Sequence, residues 1–146
     1  MNIQQDFKEL LALLEKHHVE YMIVGGYAVA FHGFPRFTKD IDIFFELSDA
    51  NIKSIIDALV DFGFPRDSLE NILFNKDDNI VTFGIAPVRV DFLNSIDGVV
   101  FSDAKKSRVR GRYGDIDVYF IGKECLLKNK SSTKRTKDKA DVEELM

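Results

Sequence analysis

The chain has 146 residues, a formal net charge of −4, one cysteine and no tryptophan. That length sizes it for one domain (1–146) with a core of its own, and the single Cys125 excludes an internal disulfide or a cysteine-rich zinc site. Charge is unevenly spread, with 8 Lys/Arg against 16 Asp/Glu in residues 1–100 and 12 against 8 in residues 101–146, which suits either an anionic ligand near the C-terminal region or a solvated basic face.

The opening MNIQQDFKELLALLEKHH is polar and acid-bearing, unlike a secretory leader, and no apolar run approaches the roughly 20 residues of a membrane-spanning helix. A cytoplasmic protein with no membrane partner is expected. In that opening, Phe7, Leu10, Leu11 and Leu14 recur at helical spacing and predict one apolar helix face. Lys16, His17 and His18 fall in its last turn, where positive charge suits the helix dipole. Adjacent histidines point apart on a helix, so the pair reads as helix-end residues rather than metal ligands. VEYMIVGG then predicts a short strand stopped by glycines, YAVAFHG a short helix ended by Gly33, FPRFT a proline-marked loop and KDIDIFFEL the next strand. SDANIKSIIDALVDFGF sets Ile52, Ile55, Ile56, Leu59 and Val60 on one helical face after a Ser48 or Asp49 cap.

SLENILF follows as one further helical turn or two. NIVTFGIAPVRVDFLNSI predicts two strands joined around Gly84 to Pro87, and SRVRGRYGDIDVYFI another pair around Gly111 to Gly114. KECLLKNK and KDKADVEELM predict two last helices, separated by SSTKRT. This order predicts an α/β (α+β) domain with a mixed β-sheet flanked by helices.

The chemistry concentrates in YMIVGGYAVAFHGFPRFTKDIDIFF. Gly25 and Gly26 stand where a strand passes into a helix, and glycines there let backbone N–H groups approach an anion closely. Asp40 and Asp42, two apart on a strand, point to one side. A carboxylate in an apolar strand is costly unless it is paired or bound, and Asp91 in VRVDFL is a third such acid. Three acids from neighbouring strands beside a glycine turn would hold a hard divalent cation through oxygen, Mg²⁺ (or Mn²⁺) when phosphates complete its shell. Either Asp-x-Asp pair taken alone also reads as strand-end acids, and the second, Asp115 and Asp117, is expected at a hairpin turn and an edge strand. His32 beside Gly33 reads as a packing or helix-end residue.

The segment IVGGYAVAFHGFPRFTKDIDIFF resembles the signature of the nucleotidyltransferase superfamily, the DNA polymerase beta-like fold. That signature is an apolar residue, Gly, Gly or Ser, a gap, then Asp-x-Asp/Glu between apolar residues. Val90-Asp91-Phe92 fits the family's lone third acid. The tail LLKNKSSTKRTKDKADVEEL is similar to the C-terminal helices of small stand-alone members, at Lys130, Arg135, Lys137, Asp138 and Asp141. The group includes antibiotic nucleotidyltransferases and abortive-infection (AbiEii-like) toxins, so one possible setting is a toxin–antitoxin pair. Many members carry Ser where Gly26 stands, so here the phosphate grip would lean more on Arg36, Lys39 and Lys130.

The resemblance implies a Mg²⁺-dependent transfer of a nucleoside monophosphate from a nucleoside triphosphate such as ATP to a hydroxyl acceptor. Asp40, Asp42 and Asp91 would hold the metal and carry catalysis, and Gly25, Gly26, Arg36, Lys39 and Lys130 would bind the nucleotide. The acceptor could be a small molecule, an RNA or a protein, with a protein partner or a second copy of the chain supplying surface. The alternative is a non-catalytic nucleotide-binding or protein-interaction module that retains the fold, against which the presence of all three acids argues. A nucleic-acid-binding domain built on the basic tail lacks an aromatic RNA-binding strand motif or a Cys/His finger.

Overall fold

The computed structural model describes residues 3–33, 40–72, 74–85, 88–133 and 136–145. The predicted amphipathic opening is α1 (Ile3–Lys16), whose Phe7, Leu10, Leu11 and Leu14 are all buried. The chain leaves the helix through His18, held at a φ of 55°, and His17 Nε2 donates to Asp61 Oδ2 at 2.6 Å, so His17 ties the helix end to Asp61. β1 (Tyr21–Val24) is buried throughout, and α2 (Gly25–Phe31) starts at the first glycine itself rather than after the second. β2 (Asp40–Phe45) follows, then α3 (Asp49–Phe62) and α4 (Arg66–Glu70). Ser48 caps α3 by accepting from the Asn51 N–H at 3.2 Å.

β3 (Ile80–Ile85) and β4 (Val88–Leu93) form the first predicted pair, and β5 (Val109–Tyr113) and β6 (Ile116–Phe120) the second. A short α5 (Phe101–Ala104), which no periodicity announced, lies between the pairs. The hairpin turn of the second pair sits at Gly114 and Asp115, with Gly111 inside β5. There a Cβ would collide with Phe31 and Phe120, which stack at 4.1 Å. Gly111 is thus a packing glycine rather than a turn glycine. α6 (Lys123–Ser131) and α7 (Thr136–Leu145) close the order.

The six strands run β3-β4-β2-β1-β6-β5. β2 is antiparallel to β1 and parallel to β4, and β1 is parallel to β6, so the sheet is mixed, as expected. Side-chain alternation makes the faces of β3, β4 and β2 chemically different. Val81 and Phe83, Val90 and Phe92, and Ile41, Ile43 and Phe45 share one face with the core. On it the phenylalanines form a chain of ring contacts, Phe45–Phe74 at 6.2 Å, Phe74–Phe92 at 6.2 Å, Phe83–Phe92 at 5.8 Å and Phe64–Phe83 at 5.0 Å. Each such pair contributes about 0.5–1.5 kcal/mol beyond the area it buries. Thr82, Arg89, Asp91, Asp40 and Asp42 fall on the opposite face.

Two buried asparagines lock the strand ends. Asn51 accepts from the Glu20 N–H at 2.8 Å and donates to the carbonyls of Glu20 at 3.0 Å and Glu46 at 2.8 Å. Asn94 donates to the carbonyls of Phe74 at 3.0 Å and Lys76 at 2.6 Å and accepts from the Asn79 N–H. Each satisfies backbone groups that would otherwise be buried without partners.

Candidate active site

The polar face of β2 and β4 is set by strand register. β2 and β4 are parallel with Asp42 beside Asp91 and Asp40 beside Arg89, so side chains two apart on each strand converge on one patch. The last residue of β1, Val24, pairs with Asp42, which brings the start of α2 to the same corner. Gly25 holds a φ of 71°, and a Cβ there would run into Asp42 Oδ2. Only glycine leaves that carboxylate its place.

Burial pushes the Asp42 carboxyl up to about 6, helped by the charge of Asp91, a hydrogen bond with Asp91 and the charge of Asp40, and opposed by Lys130. A hydrogen bond between two carboxyl groups needs a proton, which the raised Asp42 carboxyl carries below about pH 6. Asp91, only 8% exposed, accepts from Thr82 Oγ1 on its Oδ1 at 2.7 Å. Arg89 Nε lies 3.3 Å from Asp40 Oδ2 and 3.4 Å from Asp91 Oδ2. One guanidinium therefore neutralises two of the three acids.

Lys130 reaches this corner from α6. It is buried, its Nζ lies 3.2 Å from Asp141 Oδ2 of α7, and its charge acts on Asp42. It is an internal cation set between Asp141 and the acid cluster, and it links the helical tail to the sheet. Arg36 and Lys39 lie outside the described residues, as do Arg135 and the side chains of Lys137 and Asp138. Gly26 occupies the first turn of α2.

Residues expected elsewhere stay there. Asp115 pairs with Lys8 at the hairpin turn, and Asp117 lies 3.3 Å from Arg112. His32 Nε2 donates to the Ile121 carbonyl at 2.8 Å just past the end of α2, a helix-end role. The arginines in and beside β5 that weight the C-terminal region with positive charge have acids as partners. Arg108 meets Glu20 at 3.0 Å, Arg110 meets Glu15 at 2.6 Å, and both guanidinium groups stack on the Tyr119 ring.

Sequence reasoning missed Arg89 and Thr82. Arg89 was findable two residues before Asp91, on the same strand face. Thr82 was not findable from the expected turn over Gly84 to Pro87, which would set it opposite Arg89; the observed register pairs Ile85 with Val88 and so Thr82 with Asp91.

Oxygen-only donors fit a hard divalent cation, and the raised Asp42 carboxyl reflects its burial beside two other acids. Among the described residues no three His, Cys, Asp or Glu side chains stand as a ready metal cage. Asp42 and Asp91 adjoin, and Asp40 is drawn to Arg89.

A mixed six-stranded sheet flanked by helices, bearing an acid pair on one strand and a third acid in register on its parallel neighbour, defines a nucleotidyltransferase-like α+β fold. The chain belongs to the family described as "Nucleotidyltransferase of unknown function (DUF6036)", whose model matches it over residues 1–146. No curated protein matches it significantly. Among the described residues no helix is long and apolar enough to cross a membrane.

Proposed function

We propose that the protein moves a nucleoside monophosphate from a nucleoside triphosphate to a hydroxyl acceptor, with Asp40, Asp42 and Asp91 holding Mg²⁺ (or Mn²⁺). The observation that carries this reading is the register of β2 on β4. It sets Asp42 beside Asp91 at the glycine start of α2 and leaves Asp42 with a carboxyl pushed up to about 6. Such a cluster of like charges is stable only with a proton, a neighbouring cation or a bound metal.

In the reaction, the acceptor oxygen bonds to the α-phosphorus while the bond from that phosphorus to the pyrophosphate oxygen breaks, and the pyrophosphate leaves with the electron pair. The bound cations would neutralise charge on the transferring group and on the leaving oxygen. Asp91, kept in place by Thr82 and Arg89, would take the acceptor's proton. Below about pH 6 a cation would have to displace the proton of Asp42. The backbone at Gly25 and Gly26 faces the β- and γ-phosphates in this reading, with Arg36 and Lys39 as further phosphate contacts. Lys130, buried against Asp141, acts by its charge on Asp42.

Incubation with each α-labelled nucleoside triphosphate, Mg²⁺ and cell extract tests the proposal. One molecule should acquire label, and Asp42→Asn and Asp91→Asn should abolish it while the protein stays folded. Label that persists in both variants would refute the assignment of the acids, and the labelled product identifies the acceptor as a small molecule, an RNA or a protein.

A further inference from the structure

Thr82 stands directly opposite Asp91 in the antiparallel β3–β4 pair, on an edge strand of the sheet. Its own side chain is exposed, while the carboxylate that it touches is buried. Its hydroxyl donates to Asp91 Oδ1 at 2.7 Å, in the range of short hydrogen bonds to ionised acceptors. The other oxygen, Oδ2, faces Arg89 Nε at 3.4 Å, and the same nitrogen lies 3.3 Å from Asp40 Oδ2. The two oxygens of Asp91 therefore have different tasks. The last torsion of an aspartate is broad and roughly two-fold, so strand register alone does not decide which way the carboxylate plane turns. A donor fixed to one oxygen does.

We infer that Thr82 is a positioning residue: its hydroxyl holds Asp91 Oδ1 and thereby keeps Oδ2 turned toward Arg89 and the space that it shares with Asp40. This rests on the reading of that space as a cation and nucleotide site. Threonine is also a common edge-strand residue for its β-branched shape alone, but valine supplies that shape without the hydroxyl. Partners that orient a metal-binding side chain matter typically by 10–100-fold in metal affinity or activity.

The test is a Mn²⁺ titration of the full chain by electron paramagnetic resonance, on the parent, Asp91→Asn, Thr82→Val and Thr82→Ser. The ¹³C resonance of the Asp91 carboxyl in metal-free protein is recorded beside it. Thr82→Val should weaken Mn²⁺ binding about 10-fold or more and move the Asp91 resonance, with the fold intact. Thr82→Ser should restore both. A valine variant that matches the parent in both readouts overturns the inference, and so does a serine variant that fails as valine does. Mn²⁺ binding that is absent, or indifferent to Asp91→Asn, refutes the cation reading instead, and the carboxyl resonance then decides by itself whether Thr82 holds Asp91.

Discussion

Replacing Asp42 by asparagine should make the metal-free protein more stable at neutral pH, and the gain should vanish in acid. In the folded state the Asp42 carboxyl is pushed from 3.8 up to about 6, first by burial and then by Asp91. A raised carboxyl binds its proton more tightly folded than unfolded, so the parent is favoured below the unfolded value. It loses that advantage as pH rises from about 4 to about 6. At about 1.4 kcal/mol per unit the loss is about 3 kcal/mol. Asp42 keeps some contact with solvent, which reduces the expectation to about 2 kcal/mol at pH 7. Asparagine carries no charge, and its amide can donate to Asp91 as the protonated Asp42 carboxyl does below about pH 6. For a chain of this size a gain of that magnitude raises the melting temperature by roughly 4–8 °C. Urea or thermal unfolding of parent and Asp42→Asn in chelator, from pH 4 to pH 8, measures the difference. A variant that is less stable than the parent at pH 7, or one whose advantage is the same at pH 4, would refute the reasoning.

The remaining predictions concern the groups around that acid. Mn²⁺ affinity should fall as pH drops below about 6, because the cation must displace the proton of Asp42; calorimetry in buffers of different ionisation heat should also show proton release on binding. Gly25→Ala should cost on the order of 1–3 kcal/mol, since it combines a positive φ with a collision against Asp42, a loss that urea unfolding will show. Gly26→Val should weaken nucleotide binding while Gly26→Ser is tolerated, and a nucleotide titration with Mg²⁺ separates that outcome from a mere change in stability. Lys130→Met should destabilise the fold by about 3 kcal/mol, as removal of one partner from a buried ion pair does, and should raise the Asp42 carboxyl further, which its ¹³C titration would report.

The readable features were those that a single strand or helix determines by itself. Phe7, Leu10, Leu11 and Leu14 declare a buried helix face by spacing alone, and they are buried. Asp40 and Asp42 share a side because a strand has a period of two, and Asp91 stands out as an acid among apolar neighbours. Interactions between elements were less legible. Arg89 enters the cluster because β4 lies parallel to β2 in one register, and Thr82 because β3 returns antiparallel in another. The buried asparagines, Asn51 and Asn94, look like turn or cap residues until their backbone partners, up to 31 residues away in sequence for Asn51, are known. Gly111 was assigned to a turn because glycine marks turns and close packing alike, and only the stacked rings of Phe31 and Phe120 tell the two apart. α5 is too short to show a period.

The central claim, that Asp40, Asp42 and Asp91 form a cation-dependent nucleotide site, is tested most directly by calorimetric titration of a non-hydrolysable nucleoside triphosphate into the parent, Asp42→Asn and Asp91→Asn, with and without Mg²⁺. The parent should bind only when Mg²⁺ is present, and each variant should lose about 10-fold or more of that affinity. Binding that needs no Mg²⁺, or that survives unchanged in both variants, would contradict it.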